Sequence, residues 1–141
     1  MAHAGQQIES FGGMRMRFVA VDEELLEMVA SYRGDGGMPP EHVHPSQDER
    51  FEVLEGRFRA IVGGEEREYA AGDAFDVPAG TPHQMGALEP SRVRWQVRPA
   101  LRTAEFFERL YGDGPDSPAG GMPFEDFVAE FSAEFRLTQR G

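Results

Sequence analysis

Between Met14 and Arg98 the chain divides into short β-compatible runs separated by turn formers, and few folds accept that pattern. Met14 to Val21 alternates Met, Arg, Met, Arg and Phe, and Leu25 to Tyr32 carries a second such run. Phe51 to Leu54 and Phe58 to Val62 flank Gly56, and Gly63-Gly64 reads as a tight hairpin turn into Arg67 to Ala70. Phe75 to Val77, His83 to Leu88 and Val93 to Val97 complete the set. Many short strands joined by Gly and Pro turns predict an all-β sandwich or barrel.

The pattern changes after Pro99. Leu101 to Tyr111 has helical composition, and residues 112–121 hold four Gly and two Pro, the makings of a loop. Pro123 suits the first turn of a helix, and Phe124, Phe127, Val128, Phe131 and Phe135 recur at helical spacing. The expectation is one domain over 1–141: a β core over 14–98 and a short helical extension over 101–137 docked on it. A lid over a pocket or a dimer contact are the other uses for that apolar stripe.

At 141 residues, 40% of them hydrophobic, the chain can build a true core. It has no cysteine, which excludes disulfides, thiolate ligands and cysteine nucleophiles, so any metal must be held by nitrogen and oxygen. The net charge of −11 disfavours nucleic acid and anionic membranes as partners. The first residues lack the basic and apolar regions of a signal peptide, and no apolar run could span a bilayer. A cytoplasmic protein acting on a small molecule is expected.

Three of the four histidines fall in two tight clusters. His42 and His44 are two apart, which on a strand turns both rings to one face. Glu49 would point the opposite way on an unbroken strand, but Pro45-Ser46-Gln47-Asp48 is a turn that resets the register. His83 opens a separate strand after Val77-Pro78-Ala79-Gly80-Thr81-Pro82, where Pro78 and Gly80 fit a turn that fixes its starting point. Three imidazoles and one carboxylate suggest a divalent transition-metal centre. His3, in a polar tail, is unrelated.

The stretch Gly36-x5-His42-x-His44-x4-Glu49-x6-Gly56 and the stretch Gly72-x5-Pro78-x-Gly80-x2-His83 resemble the two signature motifs of the cupin superfamily. Ala87 departs from it, standing where the second motif usually carries Asn. The resemblance implies a jelly-roll barrel (a double-stranded β-helix) with His42, His44, Glu49 and His83 as ligands inside it. It also implies a homodimer, as in many compact cupins.

Such a donor set suits Fe(II), Mn(II), Ni(II), Co(II), Cu(II) or Zn(II), with positions left for substrate or dioxygen. Cupin quercetinases and related dioxygenases suggest an oxidoreductase acting on an enol, aromatic or diketone substrate, with Glu49 as the one catalytic candidate beyond ligation, taking the substrate proton. Metal-assisted isomerisation, elimination or cyclisation is the alternative, and a non-catalytic ligand-binding cupin a third. By parity, Phe51, Val53, Phe58, Phe75, Val77, Met85 and Trp95 would face inward as an apolar substrate pocket. Arg92, Arg94 and Arg98 alternate with Val93, Trp95 and Val97 on the final strand; an inward row could hold a carboxylate or phosphate, but this face should meet solvent or the acidic surface, as should Arg15 and Arg17.

Overall fold

Alternation along the strands sorts the chain into two facing sheets. In the computed structural model, which describes residues 2–10, 14–34, 38–112 and 114–138, the strands are β1 (Gln7–Glu9), β2 (Arg15–Val21), β3 (Leu26–Tyr32), β4 (His42–Val43), β5 (Asp48–Glu55), β6 (Arg57–Val62), β7 (Glu65–Ala70), β8 (Ala74–Val77), β9 (His83–Ala87) and β10 (Ser91–Arg98). Helices α1 (Thr103–Leu110) and α2 (Phe124–Glu130) follow, then a two-residue strand β11 (Arg136–Leu137). One sheet has the order β1-β2-β3-β10-β5-β8 and the other β11-β4-β9-β6-β7. Among the described residues every pairing is antiparallel. Two facing sheets answer the sandwich or barrel expected of the strand pattern, and their arrangement is the jelly roll that the cupin resemblance implies.

The period-two pattern decides what is inside. On β2, Met16 and Phe18 are buried while Arg15, Arg17 and Val19 are exposed. On β10, Val93 and Val97 point inward, whereas Arg92 and Arg94 pair outside with Glu55 and Glu52 of β5. The Gly63-Gly64 turn has φ of 59° and 84°, and it joins β6 to β7 with Val62 opposite Glu65. Positive φ at both central residues matches the right-handed twist of the strands it links.

The interior has two apolar clusters. Phe51, Val53, Phe58, Phe75 and Val77 are among those that fill one part of the barrel. In the other, Phe106 and Phe107 of α1 pack with Phe127 and Phe131 against Met16, Phe18, Leu26 and Met28. Phe127 and Phe131 are fully buried, each worth roughly 2–3 kcal/mol of apolar transfer. Tyr32 and Trp95 touch both clusters.

The extension is less helical than its spacing predicts. Phe131 and Phe135 continue the stripe, but α2 ends at Glu130 and Phe131 closes it through an N–H bond to the Val128 carbonyl. The chain then turns, and β11 pairs with β4, Arg136 opposite Val43 and Leu137 opposite His42. Pairing with an open sheet edge outweighs the weak local preference for helix. Among the described residues, no helix is long and apolar enough to cross a membrane.

Candidate metal centre

Both sheets contribute to the centre. His42 on β4 lies directly opposite His83 on β9, and His44 follows β4. Glu49 faces them from β5, between Val77 of β8 and Val97 of β10. The two motif stretches are stitched together: the Gly80 N–H donates to the His44 carbonyl (2.9 Å), and the Ala79 N–H to Asp48 Oδ1 (2.8 Å). A turn closed by the Thr81 N–H on the Pro78 carbonyl carries Gly80 at φ 77°, the left-handed position for which a glycine is suited. Inside the first stretch, the buried Gln47 Nε2 sits 2.8 Å from the Pro99 and Ala100 carbonyls and 2.7 Å from the Thr103 hydroxyl. That ties the turn between His44 and Glu49 to the start of α1. Gly36, at the head of the first motif, lies outside the described residues.

The imidazole nitrogens of His42, His44 and His83 lie within 4.8 Å of one another. Each ring has a backbone carbonyl on its Nδ1: Pro40 for His42 (3.0 Å), Glu134 for His44 (2.7 Å) and Thr81 for His83 (2.9 Å). A carbonyl only accepts, so these bonds place the proton on Nδ1 and leave the Nε2 lone pair free. Glu49 Oε1 lies 3.0 Å from His44 Nε2 and 3.0 Å from His83 Nε2. Its other oxygen, Oε2, accepts from Trp95 Nε1 at 2.6 Å.

These atoms therefore converge as acceptors. His44 Nε2 and Glu49 Oε1 are buried 3.0 Å apart. A separation near 3.0 Å is what two donors at right angles on one cation show when each bond is about 2.1 Å. Burial and the His83 imidazole push His42 down to about 4, so it stands neutral and ready to ligate. Burial alone would raise the Glu49 carboxyl, but His44 and His83 together outweigh it and hold the group below the ordinary carboxylate range. For His44, burial is likewise outweighed, by Glu49 and the Glu134 carbonyl, and its pKa rises. The pair behaves as one that wants positive charge between its members, from a proton or a metal. The donor set fits a divalent transition metal.

Beside the histidines lies a cavity of about 490 Å³, mostly apolar. Of the residues expected by parity to form a pocket, Phe51, Met85 and Trp95 line it, while Val53, Phe58, Phe75 and Val77 pack in the neighbouring core. Glu49 is not on the cavity wall; it stands behind the imidazoles, 2% exposed. Ala87, the departure from the motif, lies on the wall opposite Phe58 of β6.

The C-terminal extension forms another wall, through Phe106, Phe107, Phe124, Phe135 and Leu137. The Phe135 ring stacks on His42, with centroids 4.7 Å apart. Neither Phe135 nor the Glu134 carbonyl was expected at the site. Nothing local marks a backbone carbonyl for such a role, and the Phe135 spacing pointed to a helix. Tyr32 and Tyr111 also line the cavity, and burial raises both phenols above the usual tyrosine range.

Comparison with known proteins follows the same lines. Residues 28–97 match the family model described as Cupin domain. A 71-residue stretch, 50% of the chain, is 38% identical to quercetin 2,3-dioxygenase of Bacillus subtilis (strain 168), and it spans only 21% of that enzyme's length. Among solved structures, KdgF from Halomonas sp. superposes with a TM-score of 0.61 at 29% identity, over 67% of this chain and 87% of that one. An RmlC-like cupin from Shewanella frigidimarina NCIMB 400 shares the fold, with a TM-score of 0.61 at 24% identity over 71% of this chain and 90% of its own.

Proposed function

This chain belongs to the cupin superfamily, and on that premise we propose that it binds one divalent transition metal through His42, His44, Glu49 and His83 and acts as a dioxygenase-like oxidoreductase on an enol, aromatic or diketone substrate. One observation carries the reading. Three imidazoles with Nδ1 committed to carbonyls, and a carboxylate 3.0 Å from two of them, converge beside the cavity, with His44, His83 and Glu49 buried and His42 half-buried. A divalent cation would satisfy these acceptors together, whereas a proton on one Nε2 serves only the carboxylate. The 38% identity to quercetin 2,3-dioxygenase supports the oxidative choice within the superfamily.

A metal held by His42, His44, Glu49 and His83 would supply Lewis acidity toward a substrate oxygen. The residues do the rest. Phe51, Trp95, Phe107 and Phe135 surround the substrate with apolar surface and exclude bulk water, which strengthens every electrostatic contact inside. Tyr32 and Tyr111 stay protonated at neutral pH, so the cavity wall carries no phenolate charge. The three imidazoles stay fixed by their carbonyls. Sealed behind the histidines and bonded to Trp95, Glu49 is assigned ligation and charge rather than proton abstraction.

The test pairs elemental analysis of protein purified without chelator with oxygen uptake on catechols, flavonols and diketones. Near-stoichiometric metal that is lost in His42→Ala, with oxygen consumption that follows the metal, is the expected result. Substrate turnover without oxygen would move the assignment to an isomerase, lyase or cyclase. Absence of metal even after reconstitution would overturn the centre itself.

A further inference from the structure

Glu49 has two oxygens, and only one of them faces the histidines. Oε1 lies 3.0 Å from both His44 Nε2 and His83 Nε2, while Oε2 accepts from the indole N–H of Trp95 at 2.6 Å. The two side chains are diagonal neighbours on adjacent strands, since Glu49 is opposite Val97 and Phe51 opposite Trp95 in the β5–β10 ladder. The indole is itself clamped: its ring stacks on Phe51 with centroids 5.3 Å apart and makes a T-shaped contact with Phe107, also at 5.3 Å. Phe107 comes from α1, so the extension after the barrel holds the indole in place.

We propose that Trp95 is a positioning residue that sets how Glu49 meets the metal, by occupying one carboxylate oxygen so that a single oxygen is offered to the centre. This rests on the metal reading above. A carboxylate free to turn could present both oxygens to a cation, filling a position that an exchangeable ligand would otherwise take, or could swing away. An N–H bond to an ionised carboxylate is short and about twice as strong as a neutral one, and Glu49, 2% exposed, is largely shielded from bulk water. Aromatic packing keeps the donor from following the carboxylate if it turns. Trp95 therefore acts through Glu49 and leaves the three imidazoles, each with its own carbonyl, untouched.

Trp95 is the only tryptophan of the chain, so its indole gives a single unambiguous signal. In ¹⁵N-labelled protein, the indole N–H resonance should be shifted downfield and slow to exchange with solvent, and it should move to a new position at one equivalent of Zn(II). Trp95→Phe should lower Co(II) affinity by about 10- to 100-fold in chelator competition. It should also change the visible d–d spectrum of the Co(II)-loaded protein, while circular dichroism keeps the barrel signature. Two results would overturn the inference without touching the metal site: an indole N–H that ignores Zn(II) in protein that has bound it, or a Trp95→Phe variant with unaltered Co(II) affinity and spectrum. Wild-type protein that takes up neither ion would overturn the metal reading, and the role of Trp95 with it.

Discussion

Each imidazole of the centre has one nitrogen engaged by a carbonyl from a different place in the chain: Pro40, Thr81 and Glu134. The carboxylate shares their electron-rich side, so in the metal-free protein the group repels itself unless a proton intervenes, and the raised pKa of His44 is the sign of it. Glu49→Gln replaces an anion with an amide that can donate to an imidazole and still accept from Trp95. The metal-free variant should thus match or exceed wild-type stability by about 1 kcal/mol, while its Zn(II)-induced rise in melting temperature shrinks or vanishes. Thermal unfolding with and without Zn(II) reads both effects. The motif glycines separate at the same scale. A Cβ on Gly56 (φ 86°) would lie 2.4 Å from the Pro90 carbonyl oxygen and 2.9 Å from Ser91 Cα, both backbone atoms, whereas one on Gly80 (φ 77°) would meet nothing within 4 Å. Gly80→Ala should cost only the left-handed backbone penalty, about 1–2 kcal/mol. Gly56→Ala adds a clash with rigid chain and should cost about 2–4 kcal/mol, measured as the difference in urea midpoints.

At the scale of elements, the last described segment matters more to the site than its length suggests. After α2 the chain places the Glu134 carbonyl on His44, the Phe135 ring on His42, and β11 along β4, where Thr138 also bonds Glu41. Phe135→Ala removes the stacked ring and one wall of the cavity. It should cost about 1–3 kcal/mol for a partly buried aromatic, and the amides of Arg136 and Leu137 should exchange faster with solvent while those of β5 and β10 stay protected. Equal protection of all of them would show that Phe135 does not hold the segment down. The strands of the barrel were legible because one face of each is buried, which writes a period of two into β2, β5 and β10. The site histidines were legible because Pro45 and the Pro78-Gly80 turn mark where the strands restart. Strand β11 was not, because two residues carry no period and Phe131 and Phe135 fit a helix equally well. The Trp95–Glu49 bond was half visible: parity put Trp95 on the inner face, but which neighbour its N–H would find depends on the register between strands distant in sequence.

For the molecule as a whole, the relevant facts are an acidic surface and an electron-rich centre. The chain carries 25 acidic residues against 14 basic ones, and exposed ion pairs such as Arg50–Asp76 and Arg94–Glu52 consume arginines without offsetting the excess. Such a surface raises the local concentration of cations, an effect that weakens as salt screens it. The donors inside come from both sheets and are braced by the C-terminal segment and by α1 through Gln47. Unfolding would scatter all of them, so the folded chain should bind the metal far better than the unfolded one. Mass action then ties stability to free metal: at a hundredfold excess over the dissociation constant the gain is about 2.7 kcal/mol. For a chain of this size that amounts to roughly 5–10 °C in melting temperature. Removing metal with a chelator should lower the melting temperature by about that amount, and adding Zn(II), Co(II) or Mn(II) back should restore it in proportion to the logarithm of free metal. In His42→Ala the chelator should have little or no effect, because a donor is already missing. A wild-type melting temperature indifferent to chelator and to added metal would place the stability of this barrel in its apolar clusters alone.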